Sequence, residues 1–256
     1  MTGQLGVGLG PRDEQLLLAA ARLRLVTGGQ LQRLVFAGPD ASTQNARIAR
    51  RCLERLTAQH LLQRLERRVG GLRAGSSSYV YAIAPAGAAA IGWSIGRSRV
   101  HDPSLTFLRH QLAVAEVFVR LHEARHADVF LDLAVQTEPT CWRPLDDGTG
   151  SILKPDLYAL VALAAHERLA FIEVDNSTEH AAALKRKAAL YAAHYASGYE
   201  QRAEGVVPEV LWVAPDAHRA QQLRDAFEHL PGWQLHHVLE TTDELITYLA
   251  ADDIPP

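Results

Sequence analysis

The charges of this chain are divided unequally along its length, and that division constrains its architecture more than any other feature. The 256 residues carry a formal net charge of −3. Residues 1–100 hold 14 arginines, no lysine and 5 acids, a balance of +9. Residues 101–256 hold 12 basic residues against 24 acids, a balance of −12. Such an asymmetry argues for two modules, a basic one suited to a polyanion and an acidic one that is not. The length allows one large domain or two modest ones, and the charge division favours two, placed at 1–98 and 99–256. With 48% apolar and 21% charged residues the chain is no disordered polymer. No apolar run approaches the ~18 residues of a membrane span, and MTGQLGVGLGPRDE lacks the basic flank and apolar stretch of a secretory signal. Cys52 and Cys141 fit no metal or redox spacing. The expectation is a cytoplasmic, reduced protein without a membrane partner.

The basic half has the order of a DNA-binding module. DEQLLLAAARLR carries helical apolar spacing, Thr27 is placed to cap GGQLQRLVF, and a longer helix runs from about Thr43 to His60. On that third helix Ile48, Cys52, Leu53 and Leu56 form an apolar stripe, with Arg47, Arg50, Arg51 and Arg55 mostly around the other side. LLQRLERRV and YVYAIA then read as strands joined by the Arg-bearing turn GGLRAGSSS. Three helices followed by a two-stranded basic ribbon is the order of a winged helix-turn-helix. Its third helix would enter the major groove, and Arg67, Arg68 and Arg73 at the ribbon would reach phosphate or the minor groove. The alternative is a helical interaction domain whose arginines are merely solvated.

The acidic half reads as helix (105–124), strand (DVFLDLAVQ), then two strands, KPDLYALVAL and LAFIEVDN, joined by HER as a tight turn. Thr178 would cap a helix to about Ser197, and strand, helix, strand and helix follow. The order αβββαβ with an αβα tail implies a mixed sheet flanked by helices, an α+β protein overall. Asp156 opens one hairpin strand. Glu173 and Asp175 lie two apart on the other, so both carboxylates share a face, while Ile172 and Val174 point the other way. Three converging acids repel one another unless a divalent cation such as Mg²⁺ or Mn²⁺ sits among them. Such an ion can activate water and neutralise charge on a phosphodiester. Lys187, one of only three lysines, shares a helical stripe with Leu184 and Tyr191 and so faces the sheet, where it could stabilise a transition state. Otherwise the acids are surface charges of the hairpin, paired with Lys154 and Lys185.

The arrangement Lys154-Pro155-Asp156 … Phe171-Ile172-Glu173-Val174-Asp175 … Lys187-x-x-x-Tyr191 resembles the replication-relaxation family of actinobacterial plasmids and integrative elements. VTGGQLQRL, ARRCLERLTAQHLLQRL and GGLRAGSSSYVYAIAPAG extend the resemblance over about residues 12–230. It implies handling of plasmid DNA during replication or mobilisation, with proteins of those processes as partners. The second half also resembles the PD-(D/E)xK nuclease superfamily, a restriction-endonuclease-like fold. That likeness implies Asp156 and Glu173 as metal ligands and Glu116 as an additional one. Asp175 stands where the motif's lysine belongs. Either Lys187 replaces it from the adjacent helix and the protein is a Mg²⁺-dependent nicking endonuclease, or the module is an inactive platform. In the second case the protein is a DNA-binding regulator whose acidic half serves dimerisation or partner docking. Palindromic binding would require a homodimer.

Other signals lack context. His122-Glu123-Ala124-Arg125-His126 matches the zinc-protease string H-E-x-x-H, but it falls on the last turn of its helix with no downstream third ligand. His236 and His237 are neighbours on a strand and point to opposite faces. No G-x-x-x-x-G-K-[ST] loop is present, which excludes a P-loop ATPase.

Overall fold

The computed structural model describes residues 8–36, 43–69, 78–94, 103–145, 150–177, 180–228 and 230–251. The chain is a mixed α+β protein that divides into two compact units, Met1–Val119 and Arg120–Pro256.

The first unit opens with α1 (Pro11–Leu23), followed by β1 (Val26–Thr27), α2 (Gly28–Val35), α3 (Thr43–Ala58), β2 (Leu62–Val69), β3 (Ser78–Ile83) and α4 (Pro85–Ala90). Helix α5 (Leu105–His126) spans the division between the units. Thr27 caps α2 as its sequence predicts: its hydroxyl accepts the Gln30 N–H at 3.2 Å, and Gln30 Oε1 accepts the Thr27 N–H at 3.0 Å. The strands form an antiparallel sheet of order β1-β3-β2, with Leu62 opposite Ile83 and Val26 opposite Tyr81. A register shift between Leu65 and Arg68 marks a bulge in β2. Leu25, Leu65, Val80, Ala82 and Leu108 bury a common apolar layer. The expected ribbon tip, with Arg73, lies outside the described residues, as do the side chains of Arg67 and Arg68.

The second unit is built on a five-stranded sheet. Its strands are β4 (Asp132–Thr137), β7 (Leu157–Ala162), β8 (Glu167–Val174), β9 (Glu209–Val213) and β10 (His236–Leu239), in the spatial order β10-β9-β8-β7-β4. Each strand therefore lies beside the preceding strand of the same sheet. β4–β7 and β7–β8 pair antiparallel, whereas β8–β9 and β9–β10 pair parallel, so the sheet is mixed. A short ribbon of β5 (Arg143–Pro144) and β6 (Ile152–Leu153) sits between β4 and β7 in sequence. The parallel crossovers are made by α6 (Ala181–Ser197) with α7 (Tyr199–Glu204), and by α8 (Ala217–Phe227); α9 (Thr242–Ala250) follows β10. Asp216 and Thr241 cap α8 and α9 by accepting the N–H groups of Arg219 and Glu244.

One sheet face carries Tyr158, Phe171, Val210 and Trp212, packed with Leu184, Ala188 and Tyr191 of α6 and Ala220, Leu223 and Phe227 of α8. The hairpin turn differs from its sequence expectation. Glu167 and Arg168 belong to β8, and the chain reverses over Leu163–His166, closed by the Leu163 N–H to the His166 carbonyl at 2.8 Å. Arg168 is drawn into the strand because its guanidinium donates to the Ala251 carbonyl at 3.0 Å and lies over the Tyr248 ring. Thr178, expected to cap α6, lies outside the described residues; His180 occupies the N-cap position. Among the described residues no helix is long and apolar enough to cross a membrane.

Candidate functional site

Two neighbouring strands and one helix bring the chemistry of the second unit together. Leu157 of β7 pairs with Ile172 of β8, so the next step toward the strand end sets Asp156 against Glu173. Both are buried. Their places follow from the strand pattern: Ile172 lies on the opposite face from Phe171 and Glu173, which turn toward α6.

Asp156 is held where β7 begins. Its Oδ2 accepts the Val174 N–H at 2.8 Å, so the carboxylate replaces a ladder partner at the end of the sheet. The preceding Pro155 carbonyl accepts the Cys141 thiol at 3.1 Å. Burial pushes that thiol's pKa up, which keeps it protonated as a donor.

Glu173 is gripped from α6. Lys187 Nζ donates to its Oε2 at 2.5 Å, and the Tyr191 hydroxyl donates to its Oε1 at 2.6 Å. Residues four apart on a helix stand on one face, which is why both reach one carboxylate. Lys187 also lies over the Trp212 ring, 5.6 Å from its centroid. Burial pushes the Glu173 carboxyl up to about 7; the Lys187 charge pulls it down, and the Asp156 charge pushes it further up. Burial beside Glu173 also holds the Tyr191 hydroxyl well above its ordinary value.

Asp175 follows Glu173 onto the same side of the sheet but reaches a different partner. Arg219 of α8 donates to both of its oxygens, Nε at 2.7 Å and Nη2 at 2.9 Å. The Ser177 N–H adds a third bond at 2.7 Å. The structure therefore gathers Asp156, Glu173 and Lys187, and binds Asp175 to α8. Glu116 lies in the first unit, where it accepts Arg33 at 2.7 Å and Gln30 at 3.1 Å. Among the described residues no group of three or more His, Cys, Asp or Glu side chains is arranged to hold a metal ion. Asp156 and Glu173 remain as neighbouring buried carboxylates, with the Lys187 ammonium against Glu173. A divalent cation held there would have two carboxylates rather than the three or four expected.

In the first unit, α3 buries Ala49, Leu53 and Leu56 and leaves Arg47, Arg50, Arg51 and Arg55 exposed. Arg55 is engaged by the buried Asp13 of α1 at 2.6 Å.

The replication-relaxation family model matches residues 17–210, which takes in most of the first unit and the strands and helix carrying Asp156, Glu173 and Lys187. The chain belongs to the replication-relaxation family. No curated protein and no solved structure matches it. In this family member the H-E-x-x-H string closes α5, and its Glu123 pairs with Arg120 at 3.3 Å. His236 and His237 do part to opposite faces, His236 accepting the Trp212 indole N–H at 3.0 Å and His237 approaching Glu209 at 3.8 Å.

Sequence reasoning placed Tyr191 on the stripe facing the sheet without assigning it to Glu173, and missed Arg219 entirely. It also missed a buried pair beside the apolar layer. There Arg143 donates to Glu200 at 2.7 Å, and His194 lies 3.1 Å from the same oxygen. Burial would raise the Glu200 carboxyl, but hydrogen bonding from His194 and the Arg143 charge outweigh it and hold it low.

Proposed function

We propose that this protein binds duplex DNA through its first unit and nicks plasmid or mobile-element DNA in its second, during replication or mobilisation in the cytoplasm. The observation that carries the reading is the convergence of Asp156, Glu173 and Lys187 at one end of the sheet. An aspartate, a glutamate and a lysine are the set that the nuclease-like resemblance calls for, with the lysine supplied by α6 rather than by the strand. The unit's α5-β4-β7-β8-α6-β9 order supports the same fold.

Mg²⁺ or Mn²⁺ held by Asp156 and Glu173 would activate the attacking water and neutralise charge building on the phosphodiester. The protein's own residues do the positioning. The Val174 N–H orients Asp156, the Tyr191 hydroxyl fixes Glu173, and the Lys187 ammonium stabilises the extra negative charge of the transition state. Asp175 and Glu116 stand outside this reading because each is already engaged by an arginine.

For the first unit, helix and strand order with a β1-β3-β2 sheet supports a winged helix, with α3 as the groove-entering helix. Exposed Arg47, Arg50 and Arg51, with Arg67, Arg68 and Arg73 of the ribbon, would grip phosphates and position the protein without specifying sequence.

Supercoiled plasmid incubated with Mg²⁺ or Mn²⁺ tests the reading. Relaxed circles should form with the wild type and not with Asp156→Ala or Lys187→Gln. A second reading is favoured by one observation, the engagement of both Glu173 oxygens by protein donors. On it the unit is a non-hydrolysing platform for dimerisation or partner docking, and the DNA shifts in mobility but stays intact with every metal.

A further inference from the structure

We propose that the Lys187–Glu173 ion pair is a latch that keeps divalent cations out of the centre until a nucleic-acid phosphate draws the ammonium away. The inference rests on the hydrolytic reading above and concerns the regulation of that same centre.

Glu173 is 1% exposed, and each of its oxygens already accepts a hydrogen bond, Oε1 from Tyr191 and Oε2 from Lys187. A cation approaching either oxygen meets a donor already there, and at Oε2 that donor is the Lys187 ammonium, a like charge that repels it. The two donors differ in freedom. Tyr191 is fully buried, its ring lodged against Phe171, Tyr195 and His236. The Lys187 side chain retains 22% exposure on a flexible four-carbon stem, so it is the donor able to leave.

Withdrawal of the ammonium alone would strand the Glu173 carboxylate in a buried place beside Asp156, which is costly. Two events together remove that cost. A phosphodiester oxygen gives the ammonium a new anionic partner, and a divalent cation replaces its charge between the carboxylates. Phosphate and cation therefore favour the same state, the one in which Lys187 has left Glu173. Their binding is coupled, and the coupling is reciprocal. The centre is thereby loaded only when a strand is in place.

The test measures Mn²⁺ binding to the full-length, DNA-free protein from the electron paramagnetic resonance of free Mn²⁺. A pH of 8.5 keeps proton competition for Glu173 small. Lys187→Gln should bind Mn²⁺ about tenfold more tightly than the wild type, within the usual range of such couplings, and Lys187→Arg should not. Adding a short duplex should tighten wild-type binding similarly, once the signal from Asp156→Ala with the same duplex is subtracted. Equal affinities in wild type and Lys187→Gln overturn the latch. Should that variant fail to fold, an unchanged wild-type affinity on adding duplex overturns it equally. Intact plasmid together with tighter Mn²⁺ binding by Lys187→Gln removes the hydrolytic reading and leaves the latch. Nicked plasmid with equal affinities removes the latch alone.

Discussion

Arg219 grips Asp175 through two parallel hydrogen bonds across a buried interface, joining the end of β8 to the first turn of α8. Such a fork fits a carboxylate with both geometry and charge. Removing one partner of a buried pair leaves the other charged and unsatisfied, at a cost of roughly 3–5 kcal/mol. Arg219→Met is accordingly expected to lower stability by about 3 kcal/mol. Urea unfolding followed by tryptophan fluorescence measures it, and a loss under 1 kcal/mol would show the pair to be dispensable.

Glu173 contributes to the pH dependence of folding in the sense opposite to His236 and His237, whose partly buried imidazoles are held low. Its carboxyl titrates near 7 in the folded protein against an ordinary 4.5, so between those values the folded state holds a proton that the unfolded state has lost. The Glu173 share of stability then falls as pH rises through this window, by a total on the order of 3 kcal/mol. Glu173→Gln should flatten that slope between pH 5 and 7. Melting temperatures of both proteins across the range test this: Glu173→Gln should gain stability relative to the wild type as pH rises from 5 to 7, and parallel curves refute it.

The arginines of α3 should separate by their partners. Arg50→Ala and Arg51→Ala are each expected to weaken duplex binding and lower the salt slope by about one unit. Arg55→Ala should cost less affinity, because Asp13 already neutralises that guanidinium. Fluorescence anisotropy at several salt concentrations gives all three slopes. An Arg55 effect as large as that of Arg50 would contradict the assignment.

Gly87 is fixed by steric space. A Cβ at this position of α4 would strike the Leu61 carbonyl, whose oxygen accepts the Ala84 N–H at 3.0 Å. Because the obstacle is backbone, Gly87→Ala should destabilise the first unit by roughly 2–3 kcal/mol. Thermal unfolding is the check, and an unchanged melting temperature would mean that α4 shifts freely.

Local physics made much of this fold legible in advance. The hydroxyl of Thr27 caps α2, and the αβββαβ order follows from where apolar periodicity changes. Lys187 faces the sheet because it shares a stripe with Leu184 and Tyr191, and both of those are buried. What stayed hidden were partners chosen by tertiary structure. Arg219 lies 44 residues from Asp175, and Arg55 lies 42 from Asp13. Nothing local to either carboxylate announces an arginine at that distance. The hairpin turn was misplaced for a similar reason: Glu167 and Arg168 look like turn residues by polarity, yet Arg168 is held in β8 by contacts with α9 and the chain beyond it.

Asp156, Glu173 and Lys187 all come from one hairpin and the helix after it, well downstream of the arginine-bearing α3. On the proposed reading, grip and scission are genetically separable: a single substitution in that stretch would silence the blade while leaving the handle whole. On that reading a protein so altered would still occupy DNA and shut out intact copies. Cells carrying both versions would then show the phenotype of the crippled one.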